Sequence, residues 1–159
     1  MAIVGRARTA TGAGVVTTVL LVLLFGNQAF TEWVARHTDG ASVLGWFLRT
    51  LAWPAWTVRS TIPVRDLLAE ELRAVLLIVF VALVLGLSSR AVVGAGVLLG
   101  WASLIFGSAL AAFVAAFPAS HSSWLGAFEA AGDGSRYGLF VGWLVGIAVA
   151  GAKARVAAA

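Results

Sequence analysis

The sequence predicts an all-α membrane protein with four transmembrane helices, both termini cytoplasmic, and a Trp-rich helical segment in the outer interface between spans one and two. Three observations lead there. The 159 residues are 61% hydrophobic and 11% charged, with a mean hydropathy of +0.98, whereas soluble domains carry roughly 25% charged residues. The apolar residues form four runs of spanning length or close to it. The charges then divide unequally between the two sides that four spans define.

The first run covers 13–30, AGVVTTVLLVLLFGNQAF. Arg6 and Arg8 ahead of a short apolar core have the layout of a signal peptide. Cleavage, however, needs small residues at the third and first positions before the cut, and NQA offers Asn27. Run one is therefore expected to remain as an anchor. Span two, 74–89, lies between Arg73 and Arg90, and span four, 137–152, between Arg136 and Lys153. Both fall short of the about 20 residues that a core of about 30 Å needs, so these flanking cations are expected to snorkel to the interface. Span three, 91–117, is long, should tilt or protrude, and stops at Pro118.

Between spans one and two lies an outer segment, 31–72, of which residues 41–59 are too apolar for a solvated linker and too interrupted by charge and Pro54 to cross. Trp33, Trp46, Trp53 and Trp56 fall in the outer segment, four of seven Trp. Indole rings favour the headgroup level, which predicts one or two helices in the interface. Such a segment either caps the bundle or offers a docking surface. Pro63 suits the first turn of a new helix, VRDLLAEELR, leading into span two.

Charge sets the orientation. Arg6, Arg8, Arg90, Lys153 and Arg155 fall on one side with no carboxylate. The other side holds Glu32, Asp39, Asp66, Glu70, Glu71, Glu129 and Asp133 among six arginines. Because the positive-inside rule counts Lys and Arg in short flanks, the first side is cytoplasmic. Ten Arg to one Lys amid abundant Ala, Gly and Val points to a GC-rich bacterial genome, and hence to the plasma (inner) membrane. The net charge of +4 is not gathered into a patch, so no nucleic-acid partner is expected. The absence of Cys removes disulfides, thiolate metal sites, iron–sulfur clusters and cysteine nucleophiles.

Span four carries a small residue at every fourth position: Gly138, Gly142, Gly146 and Ala150. Residues four apart fall nearly in line on a helix, and small ones let two backbones approach where lipid supplies little hydrophobic drive. Span three has a weaker set, Gly96 and Gly100, then Gly107 and Ala111. The simpler reading packs spans three and four together within one chain. The sharper one forms a homo-oligomer or docks a foreign helix. Trp101 and Trp143 lie deep in these spans, where an indole N–H needs an acceptor. They read as packing residues, with a ligand site between them as the alternative.

No Asp, Glu, Lys, Arg or His interrupts the interior of any run, which disfavours proton relays, ion-coupled transport and haem ligation by this chain alone. His37 and His121 lie on the outer side, and with Asp39, Asp66, Glu70 or Glu71 they form no metal-binding motif. Asp66 and Glu70 share a helical face, but without an oxygen-rich loop they read as a solvated face offset by Arg65 and Arg73. Thr17, Thr18, Ser103 and Ser108 are expected to bond to backbone or neighbouring helices. No nucleophile, phosphate-loop or dinucleotide motif occurs, and nothing calls for a metal or cofactor.

The functional expectation is a non-catalytic accessory subunit of a larger bacterial inner-membrane complex, with the lipid bilayer and other membrane subunits as partners. The alternative is a small homo-oligomeric channel or facilitator lined by glycine carbonyls and Ser/Thr. An outer-leaflet enzyme using the two histidines is the weakest reading.

Overall fold

The computed structural model describes residues 10–56, 63–88, 95–120 and 123–157. Arg6, Arg8, Arg90 and His121, and the side chain of Arg155, lie outside what it describes. The described residues form six helices and no strand: α1 Ala10–Phe25, α2 Gln28–His37, α3 Val43–Leu51, α4 Val64–Ser88, α5 Gly96–Ala115 and α6 Trp124–Ala157. Helices α4, α5 and α6 are long and apolar enough to cross a membrane. The bent pair α1–α2 makes a fourth crossing if it counts as one span.

Run one breaks within its expected bounds. α1 stops at Phe25, and α2 leaves at 55° to it. The cause is local. The Asn27 side-chain oxygen accepts from Phe30 N–H at 2.9 Å, capping α2. Its amide nitrogen donates to Leu24 O at 2.7 Å and Leu23 O at 3.1 Å, satisfying carbonyls at the end of α1. Gly26 lets the chain after α3 close on the bend, since a Cβ there would lie 2.3 Å from Pro54 O. Trp56 clamps it, donating from N to Gly26 O at 2.9 Å and from Nε1 to Val22 O at 3.1 Å. Asn27→Ala is expected to cost about 1–2 kcal/mol, the upper range for a lost cap, measured by denaturant unfolding in detergent. An effect near zero would mean that Trp56 alone holds the bend.

Ser42 caps α3 by accepting from Gly45 N–H at 3.0 Å. α4 starts directly after Pro63, whose carbonyl accepts from the N–H groups of Asp66 and Leu67 at 2.9 and 3.0 Å. It thus carries Asp66, Glu70 and Arg73 on the helix that holds run two. Ser120 N–H donates to Asp66 Oδ1 at 2.9 Å, tying the α5–α6 connection to the start of α4. α6 begins at Trp124, well ahead of the apolar run at 137. Its early turns are helical because they pack: Ala127 is fully buried, and Gly134 is seated with a would-be Cβ 2.3 Å from Ser108 O.

Core side chains come from Leu77, Val81 and Leu85 of α4, Leu104 of α5, and Val141, Val145 and Val149 of α6, all at most 1% exposed. α6 presents two adjacent stripes, since consecutive residues are about 100° apart. Val145 and Val149 meet α1 at Gly14, which also lies against Leu85 of α4, while the glycines one position away meet α5. Hydroxyls inside the bundle are satisfied by backbone: Thr17 by Ala13 O, Thr18 by Gly14 O and Ser103 by Gly100 O.

Candidate functional site

The small residues of α5 and α6 meet one another. A Cβ on Gly100 would fall 2.7 Å from Gly146 Cα, one on Gly96 2.8 Å from Ala150 Cα, and one on Gly146 2.5 Å from Val97 O. Gly138 faces the Ile105 backbone, 2.4 Å from Cα, and Gly142 faces Trp101 Cδ1 at 2.6 Å. Gly107 faces α4 instead, 2.7 Å from Val81 Cγ2, and Ala111 is buried in the core. The stripe is therefore occupied within the chain, backbone against backbone. Ser108 adds a polar contact to the same seam, its hydroxyl 2.6 Å from both Leu104 O and Gly134 O.

Both deep indoles find acceptors on α6. Trp101 Nε1 donates to Leu139 O at 2.9 Å and Trp143 Nε1 to Phe140 O at 3.0 Å. Trp33 stacks on His37, with centroids 5.4 Å apart, and both are exposed. Trp46 meets Phe140 edge-on at 4.8 Å, docking α3 against α6. Asp39 accepts from Ala41 N–H in a local turn. Among the described residues no three His, Asp or Glu are placed to hold a metal.

Trp53 gathers a site that the sequence did not reveal. Arg73, expected to snorkel, turns under the Trp53 ring with Cζ 5.1 Å from the centroid. Its Nε is buried without a hydrogen-bond partner. The same indole stacks on Tyr137 at 5.0 Å and 23°. Tyr137 is 1% exposed and its hydroxyl is likewise unpartnered. Glu70 and Asp133 line the same pocket as Arg73.

Two pockets share Trp53 and Asp133. One, of about 190 Å³, has an apolar wall that includes Ala112, Ala116 and Ala130, with Glu70 and Arg73 as its polar side. The other, of about 240 Å³, is lined by Trp46, Arg49, Thr50, Arg136 and Tyr137. Arg136 pairs with Asp133 at 3.4 Å, and Arg49 donates to Thr38 O at 3.0 Å. Donors dominate this arrangement, which suits holding an acceptor-rich group. The signals available in the sequence were the single Tyr, at the head of run four, and the charges flanking runs two and four. Neither says that Trp53 covers them. A second aromatic cluster, Phe113, Phe117, Trp124 and Phe128, also went unread, and it joins α5 to the start of α6.

A buried hydroxyl with no partner costs about 1–3 kcal/mol. Tyr137→Phe keeps the ring and its stack on Trp53 and removes only that group. It is expected to stabilise the delipidated protein by about 1 kcal/mol in denaturant unfolding, and a loss of stability there would show that the hydroxyl is satisfied without a lipid. No protein-family model, curated protein or solved structure matches this chain.

Proposed function

We propose that this chain is a non-catalytic accessory subunit of a larger bacterial inner-membrane complex. In this reading it crosses four times with both termini cytoplasmic. α1 supplies about 24 Å of rise and the start of α2 completes the first crossing, while α3 lies at the outer interface. The charge asymmetry supports the orientation, since four crossings assign Lys153 and its basic companions in the sequence to the side away from all seven carboxylates.

The observation that carries the reading is how the bundle interior is filled. Leu77, Val81, Leu85, Leu104, Val145 and Val149 occupy it, and the ionisable clusters among the described residues gather at one end, around Arg73, Asp133 and Arg136. Such an interior serves packing. The outward faces remain available to other subunits, with Leu83, Phe106, Leu110 and Ile147 exposed. The channel alternative has less support, because the glycines that would line it are covered by α5 side chains and backbone.

Expression of the tagged chain in its native host, extraction in mild detergent and determination of complex mass test the proposal. Foreign subunits at fixed stoichiometry are expected. A pure homo-oligomer would overturn it in favour of the channel reading, and a lone monomer would overturn both.

A further inference from the structure

We propose that the two pockets sharing Trp53 hold the phosphodiester headgroup of a singly anionic membrane lipid. Its phosphate oxygens accept from Arg49, Arg136 and the Tyr137 hydroxyl, and its apolar stem lies along the alanine wall beside Arg73. The inference concerns a ligand of the chain itself and does not depend on the partner complex.

Three observations converge. The first is charge. Arg49, Arg73 and Arg136 line the two pockets together with Glu70 and Asp133, leaving one positive charge that a phosphodiester neutralises. A zwitterionic ethanolamine headgroup leaves that surplus and adds an ammonium among three guanidinium groups. The second is unmet hydrogen bonding. Tyr137 is 1% exposed with an orphaned hydroxyl, and Arg73 Nε is a buried orphaned donor. Both side chains touch Trp53, so a small displacement of that indole opens them to an acceptor. Guanidinium donors paired with phosphate oxygens form strong charge-assisted bonds. Headgroup hydroxyls, in turn, suit Asp133 and Glu70 as acceptors.

The third observation is the wall. Ala112, Ala115, Ala116, Ala119 and Ala130 line the smaller pocket with methyl groups. Free phosphate leaves that surface unused, while the glycerol and first methylenes of a lipid cover it. The pockets also lie where the apolar runs of α4 and α6 begin, at Arg73 and Asp133. That is the level at which headgroups and indole rings meet.

The full chain, delipidated in detergent, is titrated with phosphatidylglycerol, phosphatidylethanolamine, diacylglycerol or deacylated glycerophosphoglycerol, and adducts are counted by native mass spectrometry. One phosphatidylglycerol per chain is expected, with the other three binding about tenfold more weakly or less. The double variant Arg49→Gln/Arg136→Gln changes two exposed side chains and should weaken phosphatidylglycerol binding about tenfold. Tyr137→Phe, which preserves the ring packing, should weaken it severalfold. Unchanged affinity in the double variant would overturn the proposal, as would equal binding of diacylglycerol or phosphatidylethanolamine. Equal binding of the deacylated headgroup would overturn the lipid assignment in favour of a soluble phosphodiester.

Discussion

Gly138→Ala is expected to destabilise the protein by about 2 kcal/mol, within the range for overpacking a well-packed core. The same substitution at Gly132 or Gly151 should leave stability unchanged or raise it by up to about 1 kcal/mol, the helix-propensity gain of alanine over glycine. All three glycines lie in α6, so intrinsic propensity favours alanine at each. What differs is the space. A Cβ at Gly138 would sit 2.4 Å from Ile105 Cα and 2.7 Å from its N, and backbone cannot rotate aside. Cβ atoms at Gly132 and Gly151 meet nothing within 4 Å. Relief at Gly138 requires α5 and α6 to part, which also loosens Gly100 on Gly146 and Trp101 on Gly142. Dispersion at close range is what holds such a seam. Denaturant unfolding of the three variants in one detergent reads the sign directly. A stabilised Gly138→Ala would mean that the helices are not in backbone contact.

Local patterns and non-local contacts were not equally legible. Gly138, Gly142 and Gly146 announce a close approach by spacing alone, because four residues return to nearly the same face of a helix. Their partners do not follow from spacing. Gly100 meets Gly146, whereas Gly107, in the same helix, turns to α4. Helix identity in the apolar runs was equally plain, since no other structure satisfies backbone groups over such lengths in lipid. The ends were harder. Asn27 is a cap that hydropathy overlooks, because two polar residues between Gly26 and Ala29 barely change an apolar window. The early start of α6 depends on Ser108 and Gly134 meeting across the hairpin, a contact between residues far apart in sequence. The contact that Arg73 makes was illegible for a similar reason. A cation at the end of an apolar run ordinarily reaches outward, and only a tryptophan from a separate segment makes turning inward favourable.

Trp53→Ala is expected to cost about 3 kcal/mol, at the low end for truncating a large aromatic because the residue is only half-buried. Its ring makes two contacts that act together. Stacking on Tyr137 at 5.0 Å contributes about 0.5–1.5 kcal/mol beyond area burial, and the guanidinium of Arg73 over the indole contributes about 0.5–2 kcal/mol. Removing the ring also exposes two side chains that already lack partners, Arg73 at Nε and Tyr137 at its hydroxyl. Water entering the space vacated by the ring beside the two pockets recovers part of that cost, so the loss should stop short of the 5 kcal/mol extreme for aromatic truncation. Trp53→Phe keeps a stacking face and should lose only about 1 kcal/mol. The pair of variants thereby separates ring contact from indole size. The measurement is denaturant unfolding of both variants beside the parent chain, with Trp46→Ala as a second truncation at the α3–α6 contact. If Trp53→Ala loses no more than Trp53→Phe, the contacts of the ring with Tyr137 and Arg73 contribute little to the fold. A loss near 3 kcal/mol instead makes Trp53 the residue that commits a charged side chain to the bundle, and with it the pocket that charge lines.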